Sequence, residues 1–219
     1  MSVAPVRQTF DRPPAHVPSV SRFKTLTVET TNGWPHALPV LKKSRVQLRE
    51  LQLSDAPSLL RALSTDEVTR FISPPPKTIP GFERFIDWTS SRSARDYLCF
   101  AIVEAGTNDA IGIIQVRRLN GSFETAEWGF AIAQPFWGTG VFIEAAELVL
   151  GFCFKVLGVH RLEARAATAN GRGNGALRKV GASCEAILKR SFLRDGRCLD
   201  QFLWSIVRED WEVAKAGSG

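Results

Sequence analysis

An α/β domain of the α+β type, built on a single mixed, mostly antiparallel sheet flanked by helices, is what this 219-residue sequence predicts. Two observations carry that prediction. The hydrophobic pattern alternates residue by residue in strand-like runs and recurs every three to four residues in helix-like runs. Their order is strand, two helices, three strands, a long helix, a strand, a short helix and two strands. Three of the strand-like runs also follow one another with only short turn-forming sequences between them, the mark of an antiparallel meander. A hydrophobic content of 44% with 23% charged residues supplies the core such a domain needs.

The well-patterned part begins at Arg45. RVQLREL alternates as a strand, and Ser54-Asp55 offers an N-cap to APSLLRALS, whose Leu59, Leu60 and Leu63 share a helical side. Asp66 to Ile72 adds a short helical turn before the prolines of SPPPKTIPG stop it. GFERFIDWTSSRSA reads as the second helix through Phe82, Phe85, Ile86 and Trp88. YLCFAIVEA, AIGIIQVRRL and TAEWGFAIA form the meander, with GTND and NGSF at its turns. The long helix runs from about Thr139 to Leu157, and RLEARAA is the next strand. A glycine-started short helix in NGRGNGALRKVGA precedes a hairpin of SCEAILKRSFL and CLDQFLWSIV, turned at Arg194-Asp195-Gly196. Residues 1–43 read as an N-terminal extension, partly disordered or docked. KTLTVET and Asn32-Gly33 in it suggest an added strand or hairpin, and residues 213–219 read as a flexible tail.

Several function classes drop out. No run of 18 apolar residues exists to span a bilayer, and the first 30 residues lack the apolar stretch of a secretory signal, so a cytoplasmic protein with no membrane partner is expected. Cys99, Cys153, Cys184 and Cys198 are scattered in apolar surroundings and form no metal-binding cluster with His16, His36 or His160. Buried free thiols and no metal site are therefore expected. Of the net charge of +6, four units fall in residues 1–43, where six cationic residues face two acidic ones. The remaining domain is nearly balanced, which argues against a nucleic-acid partner.

The stretch QPFWGTGVFIEAA places Gly138 and Gly140 at the mouth of the long helix. A helix N-terminus presents unpaired amides and the positive end of its dipole, and glycines let an anion come close, so a phosphate-bearing ligand suits this turn. On its own the pattern is weak. No lysine follows the glycines as in a P-loop, and a third glycine with Rossmann spacing is missing.

The wider succession EWGF, FWGTGVFIEAA, LGVHRLEARAATAN, ALRKVGA and DQFLWSIVREDW resembles the GNAT superfamily of acyl-CoA-dependent N-acyltransferases, in particular its RimJ/RimL-like branch. Glu144-Ala145 after the turn, Asn170 eleven residues before Gly181, Lys179-Val180-Gly181-Ala182 and Asp200 carry the resemblance, together with the opening SRVQLRELQLSDA; it spans residues 44–212. It implies the GNAT fold and acetyl-CoA as cofactor. The amides of Trp137, Gly138, Thr139, Gly140 and Val141 would hold the pyrophosphate. The strand around Phe130, Ala131 and Ile132 would splay from RLEARAA to pair with the pantetheine arm. Asn170 and Asn174 would lie on the cofactor, although Asn170 also reads as an N-cap and Trp137 as a packing residue. Glu127 matches the branch's acidic position and is the candidate catalytic base, with an outward ion pair as its structural alternative, and Asn170 is a second candidate that would orient a water. Glu144, in the first helical turn, would satisfy local amides or the dipole. The sequence departs from the branch at Gly173, where a serine is usual, and at Pro135, and its only tyrosine, Tyr97, lies far from the expected thiol.

The implied activity is transfer of an acetyl group to a primary amine, on a protein N-terminus or a small molecule, by direct attack in a ternary complex. The alternative is a GNAT-fold module that binds acyl-CoA with little turnover and acts through partners. Monomer and homodimer are both open.

Overall fold

The computed structural model describes residues 28–29, 37–92 and 96–217. The strands are β1 (Val28–Glu29), β2 (Val40–Lys42), β3 (Val46–Glu50), β4 (Tyr97–Glu104), β5 (Ala110–Asn120), β6 (Ser122–Ile132), β7 (Arg161–Ala167), β8 (Ser183–Arg194) and β9 (Arg197–Val207). The helices are α1 (Ala56–Leu63), α2 (Asp66–Thr69), α3 (Ile79–Arg92), α4 (Val141–Lys155), α5 (Gly171–Lys179) and α6 (Arg208–Ala216). Among the described residues the strands form one sheet in the order β1-β2-β3-β4-β5-β6-β7-β9-β8, antiparallel throughout except for the parallel β6–β7 pair. This is the GNAT fold that the sequence implied.

The sheet separates two cores, and β4 shows why its sequence is an unbroken apolar run. Leu98, Phe100 and Ile102 face α4, while Cys99, Ala101 and Val103 face α1 and α3, so both faces are buried. Phe100 meets Phe152 of α4 edge-on at 5.6 Å. Eleven residues of α4 are buried because the sheet, α5 and α6 surround it. A helix so enclosed has little polar face to show.

At the N-terminal end of the domain β1 falls within KTLTVET and pairs with β2, whose Leu41 is fully buried opposite Leu48, so this part of the extension is docked as an edge of the sheet. Three residues are too few to show a period, which is why β2 went unseen. At the C-terminal end the structure departs from the sequence reading: residues 213–216 continue α6 and are not a separate tail, and Trp211 anchors that helix 5.2 Å from Phe154. The Asn32-Gly33 turn lies outside the described residues. Asp55 does not cap α1 with its side chain. Instead it is buried in a bidentate pair with Arg49 (2.7 and 2.8 Å) and accepts the Gln52 amide at 2.8 Å.

All four cysteines are free, but only two of them are buried. Burial pushes the Cys99 thiol up to about 12 and raises Cys153 as well, whereas Cys184 and Cys198 are exposed on the β8–β9 hairpin. Thiolate is the reactive form. A maleimide at pH 8 is expected to label two sites in the native chain and four after denaturation, with mass spectrometry assigning the native pair to Cys184 and Cys198.

Candidate active site

After β6 the chain makes a short 3-10 turn over Gln134–Phe136 and enters α4 through Trp137 to Gly140. Gly138 and Gly140 have φ of 78° and 91°, in the left-handed region where a Cβ is strained. The amides of Trp137 and Val141 are not free. The first donates to Gln134 O at 3.0 Å and the second leans on Thr139 Oγ1 at 3.5 Å. The unpaired donors, among the described residues, are the amides of Gly138, Thr139, Gly140, Phe142 and Ile143, a fan shifted one to two residues into the helix from the sequence expectation. Glu144 is the natural internal anion for such a fan, yet it turns away. Its carboxylate accepts from Ser44 Oγ (2.9 Å) and Arg45 N (2.8 Å), which corrects the expected local role and leaves the amides electrostatically uncancelled.

Beside this turn the sheet splits. β6 and β7 pair only from Thr125, Ala126 and Glu127 to Arg161, Leu162 and Glu163; beyond Glu127 they diverge. Ala133 donates its amide to Ile111 of β5 at 2.9 Å. Backbone groups alternate along an antiparallel strand, so Ala131 also faces β5, while Phe130 and Ile132 turn theirs into the gap. Trp137 Nε1 donates to Ile132 O at 2.8 Å, so of the three residues expected to pair with a ligand arm, Phe130 and the Ile132 amide remain.

The gap opens into a cleft of about 730 Å³ that brings together Phe130, Ala131, Ile132, Trp137, Gly138, Gly140 and Asn170. Thr139 and Val141 instead line a smaller hollow of about 400 Å³ on the other side of the turn. Asn170 caps α5, accepting the Gly173 amide at 2.9 Å, and still lines the cleft. A Cβ at Gly173 would sit 2.5 Å from Asn170 Nδ2 and 2.9 Å from its Cγ, so a side chain here requires Asn170 to shift from its folded-back position. Asn174 is buried and spent on structure: it donates to Ala167 O and accepts from Trp204 Nε1, both at 3.0 Å, fastening α5 to β7 and β9. Its expected cofactor contact is corrected accordingly.

Glu127 also lies outside the cleft lining. Its Oε2 receives Arg117 at 2.9 Å and Arg165 as well, and Arg165 continues to Glu163, which pairs with Arg161, which grips Glu185. Charges thus alternate across one face of β5 to β8, and the candidate base sits clamped in the outward ion pair that was its alternative reading. Arg161, with Ser205, holds the Glu185 carboxyl down to about 2. That stability is present above the ordinary carboxylate range and is lost as pH falls toward 2. Burial raises the Tyr97 phenol, whose hydroxyl bonds Gln115 on the α3 side, outside the lining.

Sequence reasoning missed Arg172 and Phe142 in the cleft. Arg172 of α5 stacks 3.8 Å over the Trp137 ring, bridging the mouths of α4 and α5; Phe142 packs 4.2 Å from Phe130. Glu67 of α2 is the one carboxylate of the lining, which among the described residues holds no Ser, Thr, Tyr, Cys or His.

The profile of the Acetyltransferase (GNAT) domain family matches residues 45–183, more than half of the chain. The chain belongs to the GNAT acetyltransferase family. It is an N-acetyltransferase enzyme, and acetyl-CoA is its cofactor. It is 28% identical to an uncharacterized N-acetyltransferase, YoaA, of Bacillus subtilis (strain 168), covering 78% of this chain and 97% of that protein. It is 26% identical to the [ribosomal protein uS5]-alanine N-acetyltransferase of Escherichia coli (strain K12), over 51% of this chain and 58% of that protein. Mycobacterium smegmatis RimJ, solved in complex with CoA-disulfide, shares the fold with a TM-score of 0.69 at 22% identity, covering 84% of this chain and 91% of that one. No helix among the described residues is long and apolar enough to cross a membrane.

Proposed function

We propose that this GNAT enzyme acetylates a primary amine, an α-amino group at a protein N-terminus above all, by direct attack of the neutral amine in a ternary complex at the split between β6 and β7. One observation carries the reading: four of the five unpaired amides at the mouth of α4, those of Gly138, Gly140, Phe142 and Ile143, belong to residues lining the same cleft as the free backbone groups of Phe130 and Ile132. The residues present fit the donor. The amide fan, with no carboxylate turned toward it, suits phosphate. The backbone of Phe130 and the Ile132 amide suit an extended amide-bearing arm, and Phe130, Phe142 and Ile143 wall that arm from water. When bound, acetyl-CoA supplies the acetyl group as a thioester.

The acceptor class follows from what the lining lacks. A lysine amine, with a pKa near 10.4, offers roughly 300-fold less neutral nucleophile at neutral pH than an α-amine near 7.9. Without a histidine or tyrosine in the lining to take a proton, the α-amine is the better match. The uS5-alanine acetyltransferase likeness points the same way. Glu67 then receives the approaching ammonium and Arg70, in the same lining, balances it, a dipolar entrance suited to a peptide terminus. Asn170, capping α5 at the cleft, orients the cofactor arm or a water there. Residues 44–212 form the catalytic unit, to which β2 adds an edge.

Two results are expected. The rate with a peptide acceptor should rise with pH through about 8, following the acceptor's own α-amine. Glu67→Gln should raise KM for a peptide about fivefold with kcat nearly unchanged, because a solvent-exposed charge contact is worth at most about 1 kcal/mol. Equal turnover of peptide termini and of peptides whose lysine is the sole free amine would contradict the acceptor assignment.

A further inference from the structure

The turn that carries the amide fan, Gln134 to Gly140, contains no cation, yet besides Arg172 over the Trp137 ring a second cation touches it from far away in sequence. Arg45 Nη1 donates to the Thr139 carbonyl at 2.5 Å, across 94 residues. Its backbone amide holds Glu144 Oε2 at 2.8 Å, and its Nε lies 3.7 Å from Glu144 Oε1. Arg45 and Thr139 line the 400 Å³ hollow, whereas Gly138 and Gly140 line the 730 Å³ cleft, so the turn is a wall with Arg45 behind it. A trans peptide plane points its C=O and N–H in opposite directions. Fixing the Thr139 carbonyl toward Arg45 therefore fixes the Gly140 N–H toward the cleft. The plane is flanked by two left-handed glycines, the residues least able to hold an orientation by themselves.

We propose that Arg45 is a positioning residue for the donor site: from behind the wall it holds the Thr139–Gly140 peptide so that the Gly140 amide faces the cleft, and through its own amide it keeps Glu144 away from the fan. This rests on the reading of the turn as the phosphate-binding end of the acetyl-CoA site. Arg45 touches the site only through another residue, so its removal acts on donor binding and leaves the chemistry alone. Its guanidinium side chain is 62% exposed, so little of the fold depends on it.

The experiment compares CoA binding by calorimetry, apo melting temperature and steady-state kinetics for wild type, Arg45→Ala and Arg45→Lys at low and at 0.5 M salt. Arg45→Ala is expected to weaken CoA about tenfold, the lower end of what a hydrogen bond from a charged group contributes. KM for acetyl-CoA should rise alike, with kcat and the amine KM nearly unchanged. Arg45→Lys should recover part of the loss, since an ammonium still reaches a carbonyl but without the fork. The loss should persist at 0.5 M salt, because a turn held in the wrong orientation is not screened. A loss that vanishes with salt means that Arg45 only attracts phosphate through space, and it overturns the proposal. So does an unchanged CoA affinity in Arg45→Ala while wild type binds. Should Arg45→Ala melt far below wild type, the Arg45→Lys comparison decides, and equal affinity of Lys and wild type with kcat lowered refutes the positioning role. Failure of wild type itself to bind CoA removes the underlying reading, and the proposal with it, and is recognised by that result alone.

Discussion

Gly138→Asp is expected to weaken CoA binding roughly a hundredfold while Gly138→Asn stays within a few fold of wild type. Both variants place a side chain of one shape on a residue with φ of 78° and nothing within 4 Å of a built Cβ, so their local fit is the same. Asparagine tolerates the left-handed region, and the strain costs either variant about 1 kcal/mol. Only aspartate puts a negative charge beside the amide fan. At about 4 Å and an effective dielectric near 20, repulsion from one phosphate charge reaches about 4 kcal/mol before salt screening, and roughly 3 kcal/mol corresponds to the stated loss. Titration of both variants with CoA, alongside their melting curves, separates charge from strain. Equal weakening in Asp and Asn would mean that the turn matters for shape alone.

The second large effect lies in the fold. Asp55→Ala is expected to lower stability by about 3 to 5 kcal/mol, because Arg49, with its side chain 7% exposed, is left as an uncompensated charge under α1. For a domain of this size that corresponds to a drop of about 10 °C in melting temperature. Replacing both partners, Arg49→Met with Asp55→Leu, should recover most of the loss, since a hydrophobic pair avoids the desolvation penalty. About 1 kcal/mol remains lost, for Asp55 also accepts the Gln52 amide. Denaturant melts of the single and double variants check this. A double variant as unstable as Asp55→Ala would show that the pair does more than neutralise itself.

The elements with a period were legible in the sequence. The runs over β3 to β7 and over α4 carry enough residues for alternation or a helical face to show, and the two glycines marked the turn before any coordinates. β2 and α6 escaped for different reasons: three residues hold no pattern, and α6 is anchored mainly by Trp211, whose partner Phe154 lies on another helix. At the site, backbone-based features were readable and side-chain assignments were less so. Phe130 was implied by the family resemblance, and Gly138 and Gly140 follow from helix-terminus geometry. Glu127 and Asn174 do not, because whether a polar side chain faces a cleft or a neighbour depends on partners such as Arg117, Arg165 and Trp204, which come from other strands. Arg45 belongs to the same class, since no local signal links it to a turn 94 residues away. Gly173 was visible as a departure from the family pattern, and the structure adds that the Asn170 side chain folds into the space a Cβ there would take.

The most direct test is amine-dependent thiol release from acetyl-CoA by the full chain, with mass spectrometry locating the acetyl group on a panel of peptides whose free amine is either the terminus or a lysine. Release that requires an amine, with acetylation at the terminus and loss of release in Gly138→Asp, is the expected result. CoA binding without release for any amine in the panel would contradict the assignment of this cleft as the site of acetyl transfer to an α-amine.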